Sequence, residues 1–191
     1  ITGQQPALFG GPLYSVYKAI TTIKLAALVE ESTGAHCVPV YWVGSEDHDF
    51  DEACWTAILT RNHTKRHLRY APEKDVSGYP MYRVGLEPSV HGLIDIAANE
   101  SPGGERSAEI AAFLHESLDQ SASLSDWSAR ILARFFKNTR LTFFTPDMPE
   151  ARRLAADLIA RDIREPLAVT RMLNERALAL ERLDYPPQVV K

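Results

Sequence analysis

Cysteine is scarce in this chain: only Cys37 and Cys54 occur among 191 residues, and they form no C-x-x-C pair. That pattern argues against a disulfide framework or a thiolate zinc site and suits a reducing compartment. No apolar run is long enough to cross a bilayer and no signal peptide is visible, so a cytoplasmic protein is the expectation. A charge excess is missing as well. Lys and Arg total 21 against 25 Asp and Glu, a formal net charge of -4, which argues against a general nucleic-acid binder. There is no internal repeat and no low-complexity segment. Neither the P-loop pattern G-x-x-x-x-G-K-[ST] nor G-x-G-x-x-G occurs, so two common phosphate-binding fingerprints are absent.

What is present is a foldable core. Hydrophobic residues make up 45% of the chain, and the length suits one α/β domain or one domain with a small excursion. Ile1-Thr2 reads as the end of a strand. Residues 2–12 carry Gly3, Gly10, Gly11, Pro6 and Pro12, a loop composition. A helix is expected from Pro12, which the first turn tolerates, to a stop at Gly34. Leu13, Val16, Tyr17, Ile20, Ile23 and Ala27 would form its buried face. Cys37–Val43 is apolar on both faces, as expected of a central parallel strand covered by helices on each side. Strand, loop, helix and strand make a βαβ unit.

Phe50–Leu59 has helical character. Residues 61–106 break the alternation, with a strand ending in Leu68-Arg69-Tyr70, a second short strand at Met81–Val84 and a helix over Pro88–Ala98. From Ser107 the helical period returns in Ile110, Phe113, Leu114 and Leu118. Another helix is capped by Ser123 or Ser125 and buries Leu124, Trp127, Ile131, Leu132 and Phe135. Arg140–Thr145 is the third core strand. Asp147 and Glu150 have capping-box spacing before a helix burying Leu154, Leu158, Ile159 and Ile163. Glu165-Pro166 breaks it, and Leu167–Leu183 is helical again, with Val169, Leu173, Ala177 and Leu180 inward. The fold class is therefore α/β: a Rossmann-like three-layer core around a parallel sheet, with a small inserted α+β segment. Residues 1–60 form its first part, 61–106 the insertion and 107–191 the remainder. Ile1 in place of Met, and a new extended segment at Pro186–Lys191, suggest an internal piece of a longer protein.

Two stretches carry chemistry. In the first, Gly3, Gly10 and Gly11 precede a helix N-terminus, where free N–H groups favour anions. A sharp strand-to-helix turn needs glycine in any case. Gln4 and Gln5 are natural hydrogen-bonding amides at a strand end, and Lys18 is within reach of the helix start. The second stretch, Glu46-Asp47-His48-Asp49-Phe50-Asp51-Glu52, packs five carboxylates and one imidazole into seven residues directly after a buried strand. Three readings stand: a magnesium or manganese site on Asp47, His48, Asp49 and Asp51; acid–base catalysis by His48 with an orienting carboxylate; or an acidic helix start stabilised by the helix dipole. Arg61, His63, Lys65, Arg66, His67 and Arg69 read as a solvated strand edge, with an anion-holding role as the alternative. Cys37 and Cys54 read as small buried residues.

Read together, Thr2-Gly-Gln-Gln5, Leu8-Phe-Gly-Gly-Pro-Leu-Tyr14, Tyr17-Lys-Ala19 and Trp42-Val-Gly-Ser-Glu-Asp-His-Asp-Phe50 resemble the bacillithiol biosynthesis cysteine-adding enzymes, or cysteine ligases. Asp126-Trp127, Thr145-Pro-Asp147 and Tyr185-Pro-Pro-Gln-Val189 fit the same family, so the resemblance runs along essentially the whole chain. It implies a nucleotidyltransferase-like Rossmann fold, with the insertion as a connective segment and a C-terminal coiled coil, absent here, supporting a homodimer. It implies amide-bond formation between the cysteine carboxyl and the amine of glucosaminyl-malate, with ATP and Mg2+ as expected cofactors. Thr2, Gly3, Gln4, Gln5, Gly10, Gly11, Pro12, Tyr14 and Lys18 would line the nucleotide or substrate pocket. Glu46, Asp47, His48 and Asp49 would recognise the amine, help remove its proton, or hold a metal. The competing classes are a metal-dependent phosphoesterase using the Asp/His cluster and a nucleotide-binding fragment inactive alone.

Overall fold

The structure, a computed structural model, describes residues 1–187 and Val189. It divides into two compact units, Ile1–Asp147 and the residues from Met148 onward. In the first, β1 (Thr2–Gln4), β2 (Val40–Val43) and β5 (Thr142–Phe144) form a parallel sheet in the order β1-β2-β5. This is the expected Rossmann-like α/β arrangement. The helix α1 (Leu13–Thr33) follows Pro12 and ends on Gly34, whose left-handed φ of 70° lets its N–H reach Glu30 O at 2.8 Å. Both bounds match the proline and glycine signals.

One face of the sheet is packed by α1 and by α5 (Leu124–Phe135). Tyr41, Val43 and Leu141 bury there with Ala19, Leu132 and Phe136, flanked by Val16, Ile23 and Phe143. The opposite face carries Trp42, still 43% exposed, with the Phe144 ring 4.6 Å away. Cover on both faces of β2 was the sequence expectation; within this unit one face has it. The buried face of α1 also differs from the expected stripe. Ser15 and Ala19 point inward, whereas Leu13, Tyr17 and Ile20 are exposed. Small residues let the helix lie close to the sheet, and the larger ones turn outward.

Between β2 and β5 the chain leaves the sheet. Of residues 50–59 only Phe50–Ala53 is helical (α2); Trp55–Leu59 is a strand, β3, paired antiparallel with β4 (Lys65–Arg69). A helix to Leu59 was expected, but Trp, Thr and Ile suit a pleated strand once a partner is available. Met81–Arg83, expected as a strand, is a single 3-10 turn with Met81 and Val84 fully buried. Its N–H groups bond elsewhere, Met81 N to Asp47 O at 2.8 Å and Tyr82 N to Ser45 O at 3.1 Å. The helices α3 (Ser89–Glu100) and α4 (Ser107–Asp119) follow, and Ile110 proves exposed.

The helix α5 begins on Ser123, whose hydroxyl accepts from Asp126 N at 3.2 Å. Its Leu124, Trp127 and Ile131 enter a second core with Leu8, Tyr70, Met81, Val84, Val90, Ile94 and Leu118. Full burial contributes about 1.5–3 kcal/mol for each large apolar side chain. Trp127 also donates Nε1–H to Ser117 Oγ at 3.0 Å, so its polar atom is satisfied. Phe135 is exposed, and Phe136 takes the buried place.

The second unit holds α6 (Pro149–Arg164) and α7 (Pro166–Glu181), broken at Glu165 as expected. Met148, not Asp147, occupies the cap position of α6, and no side chain caps it. Leu154, Leu158, Ile159 and Ile163 are exposed, contrary to their expected burial, as are Val169 and Leu173. Of the extended segment expected over 186–191, Gln188, Val190 and Lys191 lie outside the described residues.

Candidate functional site

Parallel pairing puts the carboxyl ends of β1 and β2 side by side, with Gly3 opposite Trp42 and Gln4 opposite Val43. Gly3 is required there: a Cβ would stand 2.6 Å from Trp42 O. Ligands of open α/β sheets bind just beyond these strand ends. The two chemical stretches of the sequence leave the sheet at this edge and are bonded to each other. Gly44 N donates to Gln4 O at 3.0 Å. The Gln5 amide donates to Asp47 Oδ1 and to Asp49 O, each at 3.0 Å. Lys18 Nζ donates to Gln4 Oε1 at 3.0 Å and lies 5.2 Å from the centre of the Tyr14 ring. Gln4, Gln5 and Lys18 are therefore joined to the acidic turn by a chain of direct contacts, and Thr2 and Gly3 lie in the strand that leads to it.

Members of the acidic stretch do different things. Asp49 caps α2, accepting from Glu52 N at 3.3 Å. Asp51 pairs with Arg69 Nη2 at 2.5 Å, and Glu52 sits in the first turn of α2. The helix-start reading thus accounts for Asp49, Asp51 and Glu52. Asp47 is the organiser of the turn: its Oδ1 also accepts from Asp49 N at 2.8 Å. Glu46 and His48 are exposed, and among the described residues no carboxylate is bonded to the His48 ring. Among the described residues, no group of three or more His, Cys, Asp and Glu side chains converges as a metal-ligand set.

The first loop is less open than its glycines suggest. Gly10 N and Gly11 N donate to Ala7 O and Leu8 O at 3.0 and 3.2 Å, so neither is free for phosphate. Gly10 has φ +83° and is buried; a Cβ there would stand 2.9 Å from Ile131 Cγ2. Phe9, with φ 57°, packs on Trp127 at 5.4 Å between ring centres. Gly10 therefore serves the close approach of the loop to α5. Pro12 and Tyr14, by contrast, are exposed at the start of α1.

Sequence reasoning missed two features of this edge. Ser45 Oγ and Asp147 Oδ1 are buried without a hydrogen-bond partner among the described residues. Ser45 follows β2 and Asp147 follows β5, so both stand beyond carboxyl ends of the sheet. An unsatisfied buried polar atom costs about 1–3 kcal/mol, so a ligand group or an ordered water that bonds it is favoured there. Serine within an acidic run gave no signal of this, and capping-box spacing masked Asp147. The other feature is a cleft of about 310 Å³ against the acidic turn, lined by His48, Asp49, Asp51, Arg69, Tyr70 and Lys74 among others. Its basic residues come from β4 and the loop after it, which the alternative anion-holding reading had touched only through Arg69. Burial pushes the Cys54 thiol above its ordinary value, as for an inert core cysteine. Cys37 is half-buried.

The family model described as the bacillithiol biosynthesis BshC N-terminal Rossmann-like domain matches residues 1–191. Relatives named "Putative cysteine ligase BshC" match along most of the chain. That of Symbiobacterium thermophilum is 36% identical over 88% of this chain and 32% of its own length. That of Salinibacter ruber is 32% identical over 99% of this chain and 34% of its own. The Bacillus cereus relative is 28% identical over 98% of this chain and 35% of its own. The chain spans about a third of the length of these relatives.

Proposed function

Because the chain belongs to the bacillithiol biosynthesis BshC family, matching its N-terminal Rossmann-like domain, we propose that the protein is a ligase adding cysteine to glucosaminyl-malate. The bond formed is an amide between the cysteine carboxyl and the sugar amine. The observation that carries the reading is the junction of Gln5 with Asp47, which makes one pocket edge from two loops that the sequence keeps 42 residues apart. ATP, when bound, supplies the activation that lets a carboxyl accept an amine in water.

The residues present fit a polar ligand better than a protein-held metal. Lys18, held on Gln4, offers a cation, Tyr14 an exposed ring, and Ser45 a buried hydroxyl with no partner among the described residues, while Gln5 positions the acidic turn. The carboxylates of Asp47, Asp49 and Asp51 already accept hydrogen bonds from the protein. Mg2+ would therefore arrive with the nucleotide phosphates, its usual mode of binding. In this reading Asp47 holds the amine's approach through the Gln5-bound turn. Glu46 lies on the same exposed turn, beside the incoming amine. His48, exposed on the turn, takes the proton that the amine must lose. A homodimer through a coiled coil beyond this domain, and a cytoplasmic setting, complete the proposal. Among the described residues no helix is long and apolar enough to cross a membrane.

The test is product formation in the intact protein, followed by mass spectrometry with cysteine, glucosaminyl-malate, ATP and Mg2+. Cysteine-dependent ligation that falls about 10²–10⁴-fold in His48→Ala is expected. Absence of ligation, together with phosphoester cleavage that needs added metal, would overturn the reading in favour of a phosphoesterase.

A further inference from the structure

Away from the sheet edge, α3 and α4 lie antiparallel and carry the same short pattern, His91-x-x-x-Asp95 and His115-x-x-x-Asp119. Residues four apart share a helix face, and the two faces meet crosswise. His91 Nε2 lies 3.1 Å from Asp119 Oδ1, and His115 Nε2 lies 3.1 Å from Asp95 Oδ1. The ring planes lie within 9° of parallel with their centres 5.0 Å apart, and their Nδ1 atoms meet edge to edge at 2.7 Å.

Hydrogen placement follows from these contacts. A carboxylate only accepts, so each Nε2 carries its hydrogen toward an aspartate. Both Nδ1 lone pairs are then left aimed at each other. Two acceptors 2.7 Å apart repel unless something positive stands between them, either a shared proton or a cation. Imidazole nitrogen is a favoured ligand of borderline divalent ions. An imidazole whose other nitrogen donates to a carboxylate is the usual outer arrangement around such an ion. Here that arrangement occurs twice.

We propose that the paired Nδ1 atoms of His91 and His115 form a binding site for one divalent transition-metal ion of the zinc, nickel or copper(II) class, backed by Asp95 and Asp119. Two nitrogens each 2.0–2.1 Å from one ion stand about 2.9–3.3 Å apart. The rings therefore have to part by a few tenths of an ångström and tilt so that both lone pairs converge on the ion, and with 34% and 31% of their side-chain surface exposed they have room to do so. The same exposure leaves the remaining coordination positions to water. The helices beneath are held by fully buried Val90 and Ile94 and by nearly buried Leu118, so the ligands stand on rigid elements. Bound metal would clamp α3 to α4. This site is separate from the ligase reading and stands whether or not that reading does.

The experiment is calorimetric titration of the intact protein with Ni2+ or Zn2+, paired with copper(II) paramagnetic resonance to count coordinating imidazole nitrogens. The variants are His91→Gln with His115→Gln, and Asp95→Asn with Asp119→Asn; circular dichroism checks that each is folded. One saturable equivalent, a two-nitrogen copper signal, loss of both in the histidine pair variant and a 10–100-fold weakening in the aspartate variant are expected. Absence of saturable binding overturns the proposal. So does binding that survives in the histidine variant, because groups other than this pair would then be carrying it.

Discussion

Gln5 reaches across 42 residues of sequence to place its side-chain amide 3.0 Å from the carboxylate of Asp47. The same amide bonds the Asp49 carbonyl, so one side chain fixes both the organiser of the acidic turn and the residue that caps α2. A hydrogen bond to a charged group is worth about 1.5–3 kcal/mol. Asp47→Asn should therefore lower kcat/KM for ligation about ten- to a hundredfold. Gln5→Ala should do the same, and the double variant should lose less than the sum. A coupling of about 0.5–3 kcal/mol in that cycle is the expected result; additive losses would mean that the contact does not shape the site.

Gly3→Ala should destabilise the fold. The added Cβ meets backbone, Trp42 O at 2.6 Å, and a strand cannot yield without breaking its register. A loss of about 1–3 kcal/mol is expected, read as a lower denaturant midpoint with an unchanged slope.

Ser45→Ala separates stability from binding. The hydroxyl is buried without a partner among the described residues, so removing it should leave the unliganded protein as stable as before or slightly more so. If Ser45 Oγ contacts the nucleotide or substrate, affinity for that ligand should fall about tenfold while the melting temperature holds. Equilibrium binding and thermal melting on the same samples check both halves.

Acid should weaken the link between α1 and the start of β5. Arg140 donates to both oxygens of Glu30, at 2.6 and 2.9 Å, and also to Cys37 O at 3.0 Å. Chiefly the Arg140 bond, and then the Cys37 N–H, hold the Glu30 carboxyl down to about 2 from an ordinary 4.5. A depressed carboxyl contributes stability above its unfolded value and loses it as pH falls. The contribution is thus complete above about pH 4.5 and gone near pH 2. The melting-temperature gap between the protein and Glu30→Gln should be widest near neutrality and close across that window.

Much of this was legible because local chemistry and fold agree. Pro12 and Gly34 bound α1, Ser123 caps α5, and Glu165 breaks the last helices, each for a reason confined to one or two residues. The misreadings share a different cause. Trp55–Leu59 and Met81–Val84 are short apolar runs, which periodicity alone does not assign. The first became a strand because Lys65–Arg69 offered a ladder, and the second gave up pairing to bond the acidic turn. The stripe of α6 was read correctly as apolar, yet amphipathicity says what a face would bury, not whether this chain supplies the cover. At the candidate site the strand order brought the two loops together as expected. The Ser45 hydroxyl, buried without a partner among the described residues, and the crossed His–Asp pairs were invisible, because each exists only once distant segments meet.

The helix α5 puts Leu124, Trp127 and Ile131 into one core and Leu132 into the other. The sheet and the long excursion between β2 and β5 thus lean on a single partition. That excursion is no detachable appendage: excising it would unroof one side of the partition, and the sheet would lose its own lining when the partition fell. Heat should therefore melt residues 1–147 in one cooperative step, and a loop-deletion strategy aimed at a minimal catalytic module would yield an unfolded chain.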